Sequence, residues 1–457
     1  MTFPAIALPT LRLSEEDAEL ARALESQLSG FELSNRVKLA YYEGRQRVEQ
    51  LGISIPPRLR NLNVVVGWAG TAVDVIEERL DWFGWRGDES LGLGEIYAEN
   101  DLDVESGLAH LDALIYGTSF AIVGRGADTD VPLVTVHSPM TTTGLWDPYR
   151  RRLSAAMSVV RDESGQAAQV TLYKPDETVH LSVAGSEWKV DDRDRHGLGR
   201  VPVVQFENRA RTGVRGRSEI SHTVRSLTDQ AVRTMLGMEV NREFYSAPQR
   251  YAINVSEQSF EDASGNVKTG WEQIMGRVWA VPFDEENPER PTPQVGQFTP
   301  ASPAPYLDQV RGLSQLLAAE AAVPANYMGF QTDNPASADA IRAGESRLVK
   351  RSERRQKSFG RGWREVGRLA LLVRDQRVPD EYRDVDVAWQ DAATPTRAAA
   401  ADEAAKLIGA GVLPPDARVT YDRLGLTPSE QASLVTDSRR TAGRAAVDAL
   451  LSRRTVE

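Results

Sequence analysis

The chain has 457 residues, 41% of them hydrophobic and 26% charged, which describes a globular protein with room for roughly two to four compact regions and excludes a disordered or membrane-embedded chain. It has no cysteine, which removes disulfides, thiolate nucleophiles and sulfur-ligated zinc and is compatible with a reducing cytoplasm. Its formal charge of −11 has the wrong sign for gripping nucleic acid by phosphate neutralisation, although a surface past which a polyanion slides gains from weak phosphate contacts.

The opening residues, MTFPAIALPTLRLSEED, place no basic cluster ahead of an apolar core, so no secretory signal is expected. The longest uncharged stretch nearby, 61–73, is shorter than the roughly 20 apolar residues a membrane span needs. Ser14 caps a helix expected over 15–28, and a second helical run follows over 34–48. In 61–80, Val65, Ala69, Val73, Ile76 and Leu80 recur at helical spacing. Trp82, Phe83 and Trp85 follow and are read as core filling, not as a ligand platform. Another helix is expected over 102–116.

From Phe120 the period changes to two, most clearly where Thr178, His180 and Ser182 alternate with Val179, Leu181 and Val183. An antiparallel meander is expected, with further strands over 119–124, 132–137, 153–161, 169–174 and 202–206.

Helical spacing returns over 217–245 at Ile220, Val224, Leu227, Ala231, Met235 and Met238, a helix of roughly 40 Å at about 1.5 Å per residue. Leu307, Val310, Leu313, Leu317 and Ala321 mark a second amphipathic helix. Between them 246–303 holds seven of the chain's 24 prolines and reads as a small lobe, with strand-like pieces at 250–255 and 278–281. After a loop over 323–334, Pro335 opens the longest helical run, which ends near Arg374. Its middle, RAGESRLVKRSERRQK, has almost no apolar stripe, which predicts a solvated, bridging or intersubunit position. Gly360 and Gly362 invite a bend, Phe359, Trp363, Val366, Ala370 and Val373 restore a packing face, and 385–389 is strand-like. The last sixty or so residues read as a small helical unit, with Thr394 and Pro395 opening one helix and Thr427, Pro428 and Glu430 forming a capping box.

No motif for chemistry emerges. There is no GxxxxGK[ST] loop, HExxH, EF-hand loop or GxSxG elbow, and Gly92 and Gly94 lack a preceding strand and a full glycine fingerprint. The five histidines, His110, His137, His180, His196 and His222, never fall at metal-ligand spacing and read as structural. His137 and Ser138 are adjacent on a strand and point to opposite faces, which argues against a hydrolase dyad. Asp101 with Asp103, or Asp191 with Asp192, suit a divalent ion, but loop solvation is the simpler reading. The expectation is a protein without catalytic residues, metal or cofactor. Lys350, Arg351, Arg354, Arg355, Lys357, Arg361 and Arg364 form the only patch suited to phosphate, and Glu345, Glu353 and Glu365 interleave it, so salt bridging between helices fits equally well.

The order of α/β body, long helix, proline-rich lobe, returning helix, loop, long helix and helical tail is similar to the portal family of tailed double-stranded DNA bacteriophages. AAVPANYMGFQTDNPASADAIRAGESRLVKR resembles the portal segment where a stem helix gives way to the tunnel loop and long radial helix, and GVLPPDARVTYDRLGLTPSEQ resembles the start of the portal crown. With YYEGRQRV near the N-terminus, the likeness covers nearly the whole chain.

The resemblance implies an α+β portal architecture. It would have an α/β wing over 1–216, stem helices over 217–245 and 303–322, and a small α/β clip over 246–302. A tunnel loop over 323–334, a long kinked helix with a wing return strand over 335–393 and a helical crown over 394–457 would complete it. In the loop it implies that Asn326, Tyr327, Gln331 and Asp333 meet DNA, although the absence of Lys and Arg there favours passive guidance. Lys350, Arg351, Arg354, Arg355 and Lys357 become an intersubunit or DNA-facing surface. The implied partners are further copies in a ring, expected to be dodecameric, together with terminase, head-completion or adaptor protein, capsid and scaffolding proteins and duplex DNA in transit; no membrane is implied. The implied place is the capsid vertex of the virion, after assembly in the host bacterial cytoplasm. Another head or head-to-tail connector protein, or a carboxylate-metal nuclease, are the alternatives.

Overall fold

The structure, a computed structural model, describes residues 13–47, 64–87, 89–126, 129–163, 165, 167–184, 187–246, 250–254, 292, 294–297, 299, 302–329, 338–393, 397–426, 430–431, 433–441 and 443–444. In chain order its elements begin with α1 (Glu15–Tyr42), α2 (Trp68–Glu77), β1 (Trp82–Arg86), α3 (Leu93–Glu99) and α4 (Leu102–Tyr116). Eight strands follow: β2 (Thr118–Gly124), β3 (Leu133–His137), β4 (Thr142–Asp147), β5 (Arg152–Arg161), β6 (Ala167–Tyr173), β7 (Thr178–Ala184), β8 (Glu187–Asp194) and β9 (Val203–Glu207). Then come α5 (His222–Ser246), β10 (Arg250–Ile253), β11 (Gln294–Gln297), α6 (Ala304–Ala321), α7 (Ala338–Asp375), β12 (Asp386–Trp389), α8 (Arg397–Gly409) and α9 (Arg418–Arg423). The class is α+β, as expected.

The chain divides into two units, one of Met1–Gln46, Gly67–Arg225 and Ala318–Glu457, the other of Arg47–Val66 and Ser226–Leu317. In the first, the expected meander is two antiparallel sheets, a five-stranded one in the order β4-β5-β6-β7-β8 and a three-stranded one in the order β3-β2-β9. Phe120 and Ile122 of the smaller sheet pack with Leu153 and Ala156 of the larger. β4 and β8 escape a search for alternation. β4 is a Thr-rich TTGLWD, and β8, EWKVDDRD, is a charged edge strand of the kind that discourages pairing with another chain.

α1 covers the five-stranded sheet with Ala21, Leu24 and Leu28 against Met157, Leu172, Val179 and Leu181. The Ser14 side chain accepts from the Asp17 amide at 3.2 Å, and three acidic residues in the first turn suit the helix dipole. Asp17 is fully buried, and Lys174 at 2.6 Å and Arg193 at 2.7 Å neutralise it, tying the start of α1 to the sheet. The two helices expected over 15–28 and 34–48 are thus one. Gly30 costs a helix interior about 1 kcal/mol relative to Ala, too little to break a helix anchored at its N-terminus and packed along its length.

α7 lies across β9, β2 and β12, and β12 pairs antiparallel with β1. It is a continuous helix of 38 residues that includes Gly360 and Gly362. Those glycines allow close contact: a Cβ at Gly362 would lie 2.6 Å from the Phe206 ring, and one at Gly360 2.7 Å from Val387. Trp363 stacks on Trp82 with centroids 4.2 Å apart, and Trp85, Phe206 and Phe359 complete an aromatic core beneath the helix. Trp82 and Trp85 are therefore core residues, as read from the sequence, while Phe83 is half-buried.

In the second unit, Ala231, Val232, Leu236 and Val240 of α5 and Val310, Leu313 and Leu317 of α6 are buried. Gly237 admits Tyr306, whose ring would lie 3.1 Å from a Cβ there. β10 and β11 form a two-stranded antiparallel ribbon. The expected strand over 278–281, the opening Pro335, Thr394 and Pro395, and Thr427 and Pro428 of the capping box lie outside the described residues.

Candidate functional site

Two of the side chains predicted from sequence, Arg351 and Arg355, lie where the end of β9, the entry to α5, the end of α6 and the middle of α7 meet within the first unit. Glu219 stands at the centre and is 4% exposed. Its carboxylate accepts from Arg351 at 2.9 Å, Arg209 at 3.2 Å, Asn208 at 3.1 Å and, at close range, Arg355. Burial alone would raise its pKa, but the Arg355 and Arg351 charges outweigh that and hold the carboxyl below its ordinary range. Arg351 also donates to the carbonyls of Glu320 and Ala321, so it caps the C-terminal end of α6 where orphan carbonyls gather. Arg355 donates to the Asn208 side-chain oxygen at 3.1 Å, and Asn208 donates to the Arg217 carbonyl at 2.8 Å.

A second buried carboxylate, Glu207, pairs with Arg361 at 3.0 Å and closely with Arg215, whose guanidinium lies 3.3 Å from the Trp146 ring centroid. Two carboxylates thus hold five arginines, three from α7 and two from the segment after β9, in fixed positions. No leaving group or nucleophile is served by this arrangement; it is a polar lock.

Within the polar stretch of α7, Arg351 and Arg355 take the salt-bridging alternative: their charges are satisfied by Glu219 from 132 and 136 residues away in sequence. Lys350, Arg354 and Lys357 are exposed on the other side of the helix, and Lys350 pairs with Glu353 at 2.7 Å. Sequence reasoning missed Glu219, Asn208 and Arg79. One signal was available: Arg355 lies seven residues after Leu348 and four before Phe359, both fully buried, and so shares their face.

The loop after α6 begins with a short 3-10 helix, Ala325–Met328. Asn326 is exposed, and Tyr327 is 36% exposed with its hydroxyl donating to Glu345 at 2.6 Å. The largely buried Arg79 lies 3.4 Å from that hydroxyl and 3.7 Å from Glu345, and donates to the Ala392 carbonyl at 3.0 Å. The structure therefore ties Tyr327 to the start of α7. Gln331 and Asp333 lie outside the described residues.

The chain matches the model of the phage portal protein family, SPP1 Gp6-like, over residues 36–418. It is 35% identical to the portal protein of Mycobacterium phage D29 and 33% identical to that of Mycobacterium phage L5, each over 87% of this chain and 84% of the relative. The chain belongs to the phage portal family. Its function is that of a portal protein of a tailed phage, and the family match runs from within α1 to the first residue of α9. Among solved structures, the neck of an empty GTA particle computed with C6 symmetry aligns at TM-score 0.39 and 13% identity, covering 79% of this chain and 90% of that one, a likeness too distant to bear on the fold.

Portal proteins are structural, and the remaining polar groups suit that. His110 is fully buried; its Nε2 accepts from Trp363 Nε1 at 2.8 Å, and its ring stacks on Phe359. His137 bonds to Thr135 at 2.9 Å. Among the described residues no group of three or more His, Asp or Glu is placed to hold a metal ion, and no helix is long and apolar enough to cross a membrane.

Burial pushes the His110 pKa down to about 3, with a weaker opposing pull from the Leu80 backbone. The neutral ring is the folded form, so its stabilisation is full above pH 6.5 and is lost as pH falls below that towards 3. Between pH 7 and 5 the wild type should lose on the order of 2 kcal/mol more stability than His110→Gln, read from urea unfolding at each pH. Parallel pH profiles would contradict the assignment.

Proposed function

We propose that this chain forms a closed homo-oligomeric ring, of about 12 copies as the family resemblance implies, at one vertex of a phage capsid. Duplex DNA passes through it during packaging and ejection. On this reading 246–302 is the clip that meets terminase and then a head-completion or adaptor protein, 323–334 is the tunnel loop, and the first unit supplies the wing and its contacts with capsid and scaffolding proteins. The ring is assembled in the bacterial cytoplasm and stays in the virion. It is not an enzyme; the hydrolysis that drives packaging belongs to a partner.

The observation that carries this reading is the extent of the family match, which takes in both long helices, the proline-rich lobe and the loop between α6 and α7. Charge supports it. Each copy carries −11, so about 12 copies carry on the order of a hundred negative charges, and the ring as a whole resists non-specific capture of DNA. In the loop, Asn326 and the partly exposed Tyr327 present uncharged surface, which suits a duplex that is guided and not held. Images of the purified chain test the reading: rings with an axial opening are expected, and a monomer that persists across salt conditions contradicts it.

A further inference from the structure

α7 carries a second pattern beside its packing face. Arg347, Lys350, Arg354, Lys357, Arg361, Arg364 and Arg368 are spaced alternately three and four residues apart, so at 3.6 residues per turn they share one face roughly 30 Å long. That face lies about half a turn from the one buried through Leu348, Ser352, Phe359 and Trp363. All but Arg368 are exposed. Lys350, Arg361, Arg364 and Arg368 each pair with a carboxylate of their own chain, whereas Arg347, Arg354 and Lys357 make no ion pair among the described residues.

The opposite charge gathers at the C-terminal end of α2. Asp74, Glu77, Glu78 and Asp81 lie within eight residues, and none makes an ion pair among the described residues. Arg79, the only cation in the surrounding stretch 68–85, is turned inward to Tyr327, Glu345 and the Ala392 carbonyl. Acidic groups at a helix C-terminus meet the unfavourable end of the dipole, and here no basic residue occupies the last turn to offset them. Burial, then Asp81, Asp74 and Glu78, push the Glu77 pKa up to about 6. The free chain therefore holds a ridge of mutually repelling carboxylates and a basic face with three unpaired cations, and among the described residues no ion pair joins the two.

Resting on the portal reading above, we propose that these two surfaces are the two sides of one heterologous contact: the basic face of α7 in one copy docks on the acidic ridge at the end of α2 in the next. Both lie in the same compact unit, so each copy presents one of each, and repetition of such a head-to-tail contact closes a ring. Charge complementarity selects this occupant over DNA. Glu353, Glu365 and Asp386 flank or pair with the basic face, and a phosphate backbone would meet them with repulsion, whereas a carboxylate ridge needs only the cations left unpaired.

The test uses the full-length chain and only exposed side chains. One variant carries Arg347→Glu, Arg354→Glu and Lys357→Glu; the other carries Glu78→Lys and Asp81→Lys. Each keeps the wild-type thermal midpoint within a few degrees if the residues serve contact and not folding. Alone, each variant juxtaposes like charges at the contact, and ring yield by native mass and electron microscopy falls about tenfold or more. Mixed in equal amounts, they offer opposite charges again and form rings of alternating copies. The proposal is overturned if either variant alone assembles as the wild type does, in particular if the first assembles normally and loses only DNA, which places DNA on the basic face. It is equally overturned if the mixture fails to recover. A wild-type chain that stays monomeric refutes the portal reading itself, so the two failures are distinct.

Discussion

Replacing Glu219 with alanine is expected to destabilise the protein by about 3–5 kcal/mol, a large share of what holds a domain folded. The cost comes less from the lost ion pairs than from what they leave behind. Arg355 and Arg351 are 8% and 16% exposed in their side chains, and among the described residues neither makes an ion pair with a second carboxylate. Arg351 would still cap α6 through the Glu320 and Ala321 carbonyls, but Arg355 would keep a buried charge with only neutral oxygen partners, Asn208 and the Arg351 carbonyl. Adding Arg355→Met to Glu219→Ala should return part of the loss, because an apolar residue of similar length needs no counterion. Urea midpoints measure both. A single-variant loss below about 1 kcal/mol would mean that the lock is solvated and contributes as a surface pair does.

The second large effect is expected at Trp363. It is fully buried, stacked on Trp82 at 4.2 Å, in tilted contact with Phe206 at 4.7 Å, and it donates to His110 at 2.8 Å. Trp363→Ala opens a cavity between α7 and β1 and should cost about 3–5 kcal/mol. Trp363→Phe separates packing from hydrogen bonding: it keeps most of the ring volume and leaves His110 Nε2 without its donor, a loss of about 1–3 kcal/mol. Equal losses for the two variants would show that the hydrogen bond, not the ring volume, dominates.

The features legible in the sequence were those that a local pattern determines. α7 follows from its length and its Phe359, Trp363, Val366 and Ala370 spacing, and β7 from strict alternation. α1 reads as two runs, 15–28 and 34–48, because a local rule sees the poor helix formers between them and not the sheet against which Ala21, Leu24 and Leu28 pack. Gly360 and Gly362 also admit Val387 and Phe206, which are distant in sequence and so invisible to a local rule. The arginines of α7 were legible as salt-bridging residues, but not their partners. A run of charged residues reads as solvated unless its counterions are visible, and Glu219 and Glu207 come from a turn region and a strand end far upstream. Membership of the portal family was legible from element order together with the segments 321–351 and 411–431 that resemble portal segments, and the family match bears it out.

The most direct measurement of the central claim is the mass and shape of the purified chain in solution. A closed ring of about 12 copies of this 50.4 kDa chain has a mass of roughly 0.6 MDa, and in native mass spectrometry and electron microscopy it should show a single dominant species with an axial opening. A chain that remains at 50.4 kDa across protein and salt concentrations, or that forms open filaments with no closed particle, contradicts it.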